Sequence, residues 1–296
     1  MKVLVTGSHG LVGRELVTRL TGAGHFVVRL VRSNPDRARG DILWDPVTGH
    51  IERPNLAGID AVVHLAGENI LGLWTRRKRE RIHKSRVVAT EYLAEAVAGL
   101  APRPKVMISA SAIGYYGDQG EARLDENAKS GQGFLPQLCR EWEDATAIAR
   151  SSGIRVVNLR IGLVLTPRGA ALAGMLPAFK AGLGGVLGNG RHYMSWITLD
   201  DLVESIVFCL EHPTLNGPVN ATAPEPVTNR EFTKTLGRIL HRPTILPVPS
   251  LVLKLLPGNM AAETILASAR VEPTKLQRAG FSFRHPALET ALQEIL

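Results

Sequence analysis

Lys2–Thr6 reads KVLVT and runs directly into Gly7-Ser8-His9-Gly10-Leu11-Val12-Gly13. No other feature of the chain restricts the fold as much. A short apolar run fits a buried strand. The glycine spacing G-x-x-G-x-x-G then fits a tight turn that opens a helix, here predicted from Leu11 to Leu20. Each glycine has its own physical reason. Gly7 permits the tight turn, Gly10 lets backbone approach a pyrophosphate, and Gly13 lets the helix pack against the strand. With Thr6, Leu11 and Val12 these residues form the candidate nucleotide-binding turn. The competing reading is a glycine-rich strand–helix turn that holds no ligand.

The rest of the chain fits that start. Apolar or β-branched runs follow at Phe26–Val31, Ile42–Trp44, Asp60–Ala66, Lys105–Ser109 and Ile154–Arg160, with helical patterns around 79–98 and 134–150 between them. Strands apolar throughout, alternating with helices, predict a parallel sheet covered on both faces. Right-handed crossovers make it doubly wound, a Rossmann-type α/β fold. Beyond about residue 165 the pattern changes. Glycines cluster at Gly182, Gly184, Gly185, Gly188 and Gly190, and prolines accumulate from Pro213 to Pro257. The expectation is a nucleotide-binding domain over 1–164 with 192–222, and a smaller, mostly helical substrate-side lobe over 165–191 and 223–296.

Composition narrows the class of partner. With 45% hydrophobic and 21% charged residues the chain is an ordinary globular protein. Aromatics at 5% argue against a reader of stacked single-stranded bases. The formal net charge is +8, but seven basic residues (Arg76, Arg77, Lys78, Arg79, Arg81, Lys84 and Arg86) fall in one eleven-residue stretch with a single acid, Glu80. Outside it 28 basic residues face 26 acidic ones, so the excess is a local block and no nucleic-acid partner is expected. The two cysteines, Cys139 and Cys209, form no CxxC, which fits a reducing compartment. No secretory h-region fits the start, and the run SLVLKLLPGN near 250 is broken by Lys254 and Pro257. The expectation is a cytoplasmic protein with no membrane partner and no metal.

The end of the second strand selects the cofactor. An Asp or Glu about 20 residues past the glycines holds the adenosine ribose of NAD. Here that slot is Val31, followed by Arg32, with Asp36 out in the loop. A planar guanidinium suits a 2′-phosphate, so NADP is expected, with Arg37 and Arg39 as further candidates.

These residues resemble the extended short-chain dehydrogenase/reductases, the nucleotide-sugar epimerases and dehydratases. The likeness covers nearly the whole chain and rests on TGSHGLVG at 6–13, DAVVHLAG at 60–67, SASAIGYYG at 109–117, the Arg160 strand and SWITLDD at 195–201. GENI at 67–70, KSRVVAT at 84–90 and LGGVLGNG at 183–190 resemble the atypical branch called "epimerase family protein", which has its own C-terminal domain. The resemblance implies cofactor contacts from Leu65, Ala66, Gly67, Arg86 and Val164, a small-molecule substrate, and by analogy a homodimer paired through helices of the nucleotide-binding lobe. It also implies a Tyr-x-x-x-Lys pair, and this chain departs from that pattern. Four residues on from Tyr92, Tyr115, Tyr116 and Tyr193 stand Ala96, Gln119, Gly120 and Ile197. The tyrosine slot is Leu135, the lysine slot Cys139, and the usual asparagine of the preceding helix is Arg86. The upstream serine is kept as Ser111.

Other groups must therefore carry any chemistry. Arg79, Ile82, Arg86 and Leu93 share one helix face by the 3.6-residue period, which turns Arg86 inward and leaves Arg77, Arg81 and Lys84 outward. An inward arginine must find an acceptor: a cofactor phosphate or ribose, a substrate carboxylate, or an internal Glu141 or Glu143. The candidate catalytic residues are Ser111, Tyr116 and Cys139, with Tyr115 in the same loop as Tyr116. For Cys139 the alternative is a small buried helix residue. His64 reads as a packed strand residue, Asp200 and Asp201 as helix caps, and Trp196 with the loop 182–190 as a lining of the substrate cleft. Two functions stay open: an NADP(H)-dependent epimerase or oxidoreductase with a non-standard acid/base, and a non-catalytic NADP(H)-binding regulatory protein.

Overall fold

The computed structural model describes residues 1–52, 56–245, 263–264 and 266–296. Its central sheet has seven parallel strands in the order β11-β7-β5-β4-β1-β2-β3. In chain order the first half runs β1 (Lys2–Thr6), α1 (Leu11–Gly22), β2 (Phe26–Val31), β3 (Ile42–Leu43), β4 (Ala61–His64), α2 (Arg76–Ala98) and β5 (Val106–Ala112). The short β6 (Arg123–Leu124) precedes α3 (Phe134–Asp144), α4 (Ala147–Ser151), β7 (Arg155–Ile161) and β8 (Leu163–Leu165). Then come α5 (Ala170–Lys180), β9 (Tyr193–Met194), β10 (Trp196–Thr198), α6 (Leu199–Glu211) and the edge strand β11 (Gly217–Ala221). The last elements are β12 (Val227–Thr228), α7 (Asn229–Ile239), β13 (Arg270–Val271), α8 (Thr274–Arg278) and α9 (Leu288–Ile295). This is the doubly wound α/β architecture expected from the strand–helix alternation.

Side chains alternate across each strand, so the sheet has two chemically distinct faces. One face, with Val3, Val5, Val63, Ile108 and Leu159, is buried under α1 and α6 through Leu16, Leu20, Leu202 and Ile206. The other, with Leu4, Val62, Met107 and Val156, is buried under α2 through Ala89, Leu93 and Val97. Further along this second face the residues turn polar. Thr6, His64, Ser109 and Asn158 lie side by side in register, all buried. Two residues nearer the carboxyl ends, Ser111, Arg160 and Asn220 form a second buried polar row. Buried polar groups need partners, and those partners define the candidate site.

Several boundaries differ from the sequence expectation for local reasons. The helix expected around 79–98 begins at Arg76, because Thr75 caps it by accepting from the Lys78 N–H at 3.2 Å. The pattern over 134–150 is two helices. Between them the Thr146 hydroxyl donates to the Glu143 carbonyl at 2.6 Å, a side-chain bond that competes with helix continuation. The fifth strand runs on to Ala112, three residues past the expected end, because β7 pairs with it as far as Ile161.

The later residues do not stay apart from the nucleotide-binding part. Leu276 and Phe281 enter the core beneath α1 and α6. A separate core joins α5, α7 and α9 through Leu176, Phe232, Leu236 and Leu292. Trp196 sits inside this core with no exposed surface, its indole N–H donating to the Glu225 carbonyl at 3.0 Å. That corrects the expectation that it lines a cleft. The apolar run at 250–259 lies outside the described residues, and no described helix is long and apolar enough to cross a membrane.

Candidate cofactor and substrate site

The glycine turn is held by two steric facts. Gly7 adopts φ +68°, and a Cβ there would lie 2.8 Å from the Leu65 carbonyl carbon. A Cβ on Gly13 would lie 2.2 Å from the Gly7 oxygen, so β1 and α1 approach each other only through glycine. At the N-terminus of α1, Gly10 supplies no side-chain cap and the first turn carries no acid. The first N–H groups of that helix therefore keep their positive end available for an anion. Beside them the Ser8 hydroxyl is buried without a partner among the described residues. Both observations fit a phosphate-bearing ligand over Gly10, Leu11 and Val12.

Arg32 follows the last residue of β2, is exposed, and has no ion pair or hydrogen bond among the described residues. Its neighbours are already committed. Arg37 holds Glu52, with Nη2–Oε1 at 2.7 Å, and Arg39 lies 3.2 Å from Asp36. The expectation that Arg37 and Arg39 add to a phosphate site is corrected by those pairs.

The floor between β1 and β4 is a hydrogen-bond chain whose directions can be assigned. The Thr6 hydroxyl oxygen accepts from the Leu65 and Ala66 N–H groups at 3.1 and 3.2 Å. Its own proton is left to donate to His64 Nδ1 at 2.7 Å. His64 Nε2–H then donates to the Thr90 hydroxyl at 3.0 Å, which also accepts from Trp142 Nε1 at 3.1 Å and donates to the Arg86 carbonyl. Each hydroxyl has one donation and two acceptances, so His64 is neutral. Burial, then the Arg86 charge, lowers its pKa to about 4. His64 is a packed strand residue, as expected.

Arg86 points inward, as the helical period required. Its Nη1 donates to the Glu68 carbonyl at 2.9 Å, and the guanidinium lies 5.1 Å over the Trp142 ring. A Cβ on Gly67 would sit 3.3 Å from its Cζ. The carboxylates considered as partners are taken: Glu141 by His83 at 2.8 Å and Glu143 by Arg160. No carboxylate lies within 4 Å of Arg86 among the described residues, and burial lowers its pKa. A desolvated guanidinium with open donors, beside Gly67, suits an oxygen-rich ligand.

Ser111 donates to Glu143 Oε1 at 2.8 Å. The same oxygen accepts from Arg160 Nε at 2.8 Å, and Oε2 accepts from Arg160 Nη2 at 2.9 Å. Burial opposes the Arg160 charge, but the Glu143 hydrogen bonds and charge outweigh it and raise its pKa above the ordinary value. Arg160 also stacks on Tyr115, with Cζ 3.4 Å from the ring centre. Glu143 was singled out in the sequence only as a partner for Arg86. Its place one helical turn beyond Cys139 was the signal that it faces the same way.

Two candidate catalytic residues, Tyr116 and Cys139, are enclosed by the fold. Tyr116 has no exposed surface; its phenol donates to Asn220 Oδ1 at 2.7 Å and accepts from Arg160 Nη1 at 3.0 Å. Burial pushes its pKa up to about 12, and a phenol so enclosed is a structural link between Arg160 and β11. Cys139 is also buried, its pKa pushed up to about 12 by burial and then by the Glu143 charge. It packs under the Ile113–Tyr115 turn, where a Cβ on Gly114 would meet its sulfur at 3.8 Å. Val164 pairs with Ile197 beyond β7. The cap of α6 is Thr198, which accepts from the Asp201 N–H at 3.2 Å. The Asp201 carboxylate instead receives the Arg284 and His285 N–H groups at 2.7 and 3.0 Å.

Comparison with known proteins agrees with this geometry. A family model described as the NAD dependent epimerase/dehydratase family matches residues 3–221, and one described as a domain of unknown function, DUF1731, matches residues 248–295. Epimerase family protein Mb2239 of Mycobacterium bovis is 44% identical over 98% of this chain and 96% of its own length. Epimerase family protein SDR39U1 of Homo sapiens is 34% identical over 100% of both chains. Among solved structures, human epimerase family protein SDR39U1 (isoform 2) with NADPH is similar at a TM-score of 0.90 and 33% identity, covering 100% of this chain and 99% of that one. A nucleoside-diphosphate sugar epimerase from Corynebacterium glutamicum is similar at 0.82 and 38% identity, covering 100% of this chain and 58% of that one.

Proposed function

The chain belongs to the NAD dependent epimerase/dehydratase family, and from that premise we propose that it binds NADP(H) and acts on a small sugar-like or carbonyl substrate with residues other than a Tyr-x-x-x-Lys pair. The observation that carries the cofactor choice is Arg32, an exposed cation with no partner among the described residues, at the end of β2 where a carboxylate would serve NAD. The human relative solved with NADPH supports the same choice. When bound, the nicotinamide supplies hydride chemistry. The chain's own residues bind and orient. The α1 N-terminus and Gly7–Gly13 hold the pyrophosphate, Arg32 the 2′-phosphate, and Leu65, Ala66 and Gly67 form the floor. Arg86 brings to the ribose side the positive charge that the lysine slot, now Cys139, no longer carries. Ser111 is the polar group offered to the substrate.

Arg32→Ala tests the cofactor assignment. A charge-assisted hydrogen bond is worth about 1.5–3 kcal/mol, so NADPH affinity should fall by roughly 10- to 100-fold while NADH affinity changes little. Equal losses for both cofactors in a fluorescence titration would contradict it.

A second reading is a non-catalytic NADP(H)-binding regulatory protein, favoured by the burial of both Tyr116 and Cys139. Following reduced-nicotinamide absorbance with sugar nucleotides, aldehydes and ketones separates the two. Oxidation with any of them supports the enzyme, and none across a broad panel supports the binder.

A further inference from the structure

Arg160 is a permanent cation, and both oxygens of the Glu143 carboxylate accept from its guanidinium in a two-pronged ion pair. An ionised carboxylate has no proton to give, so it can only accept. Ser111 lies 2.8 Å from Glu143 Oε1, and its hydroxyl proton is therefore committed to Glu143. What remains on the Ser111 oxygen is lone pairs. No other hydrogen bond to that oxygen is present among the described residues.

We infer that Glu143 is a positioning residue that makes Ser111 a hydrogen-bond acceptor toward the ligand, so that the substrate is recognised through a donor, an alcohol hydroxyl, rather than through a carbonyl oxygen. This rests on the reading that Ser111, level with the cofactor floor at the carboxyl end of β5, faces the substrate. A serine with a free proton would take either form, because it can donate to a carbonyl or accept from an alcohol. A serine tied to an Arg-paired glutamate discriminates: a carbonyl oxygen would meet lone pairs with lone pairs. A buried polar contact left unmade corresponds to roughly tenfold or more in affinity.

The arrangement also separates two jobs. Both Glu143 oxygens accept from Arg160, which fixes the carboxylate plane and with it the direction of the Ser111 proton. Tyr116 and Asn220 hold Arg160 from the far side, at 3.0 Å and through the phenol at 2.7 Å. The second polar row thus keeps the Glu143–Ser111 pair in one orientation.

Neutron diffraction on deuterated crystals of the NADP-bound full chain reads this directly. The deuterium of Ser111 should lie on the line to Glu143 Oε1, with none on the Glu143 carboxyl. A deuterium turned toward the nicotinamide side, or a protonated Glu143, would overturn the inference. In Glu143→Ala crystals the Ser111 deuterium should leave that line, and in Glu143→Gln, whose amide oxygen still accepts, it should stay; a deuterium that leaves in Glu143→Gln while it stays in Glu143→Ala would overturn the positioning role. The substrate class is read by saturation-transfer NMR with cyclohexanol and cyclohexanone on the NADP-loaded protein. The alcohol should give the stronger signal, with the ratio falling by about tenfold in Glu143→Ala; a ketone preference in the wild-type protein would overturn it. NADPH affinity, measured on the same sample, judges the cofactor reading separately. If NADPH fails to bind while the Ser111 deuterium in cofactor-free crystals still points to Glu143, the cofactor reading fails and the serine polarity stands.

Discussion

Thr6, His64, Thr90 and Trp142 show how single residues hold the site. All four lie on different elements, β1, β4, α2 and α3, and each threonine hydroxyl of this network has its donor and acceptors used. Protonating His64 would place a second proton between Nδ1 and a Thr6 hydroxyl that already donates. The sign follows. Its folded pKa, about 4, lies below the unfolded value of 6.5, so the unfolded state takes up the proton first as pH falls. Stability is undiminished by this group above about pH 6.5 and declines toward pH 4, by about 1.4 kcal/mol per unit, or about 3 kcal/mol in all. Urea denaturation at pH 7, 5.5 and 4.5 should show that decline. It should be smaller in His64→Asn, which does not titrate; equal slopes in the two proteins would contradict the assignment. His64 was legible as a packed residue from its place inside an apolar run. Its network was not, because the partners come from residues 26 and 78 positions further along the chain.

α2 and α3 show what an element's sequence does and does not disclose. The inward turn of Arg86 followed from spacing alone, because Ile82 and Leu93 fix the buried face by period. The break in 134–150 did not follow, because Thr146 reads as an ordinary helix residue until its hydroxyl is seen to donate to the Glu143 carbonyl. Tyr116 and Cys139 are candidates by loop and slot, and their burial comes from tertiary packing that neither pattern discloses. The start of α2 also carries a local conflict. Arg76, Arg77, Lys78 and Arg79 occupy the positive end of the helix, and no acid lies in its first turn. Arg77→Glu should stabilise the protein by about 0.3–1 kcal/mol, adding a charge that favours the dipole and an i,i+4 partner for Arg81. A lower melting temperature for that variant would contradict this account of α2.

Over the whole molecule, part of the positive charge counted in the +8 lies in local ion pairs. Within the basic block Glu68 takes Lys78 at 2.7 Å and Arg81 at 3.5 Å, and Glu80 takes Arg76 at 3.1 Å. Arg32, far from the block in sequence, is the one that faces the cofactor reading. The sheet itself changes character along its strands, from aliphatic rows in the middle to polar rows at the carboxyl ends, and a doubly wound sheet collects ligands at that end. The parallel, doubly wound sheet and the glycine turn were legible because periodicity and steric demand are local. The lobe was less so: Leu276 and Phe281 join the core under α1 and α6, and Asp201 ties the 284–285 backbone, through contacts no local pattern announces. The central claim is an NADP(H) site assembled by β1, β2 and α2. A crystal structure of this chain with NADPH tests it most directly. The account predicts the pyrophosphate over the Gly10–Val12 N–H groups, the 2′-phosphate within hydrogen-bond reach of Arg32, and Arg86 on the ribose side. A 2′-phosphate away from Arg32, with the nicotinamide remote from Ser111 and Arg86, would contradict it.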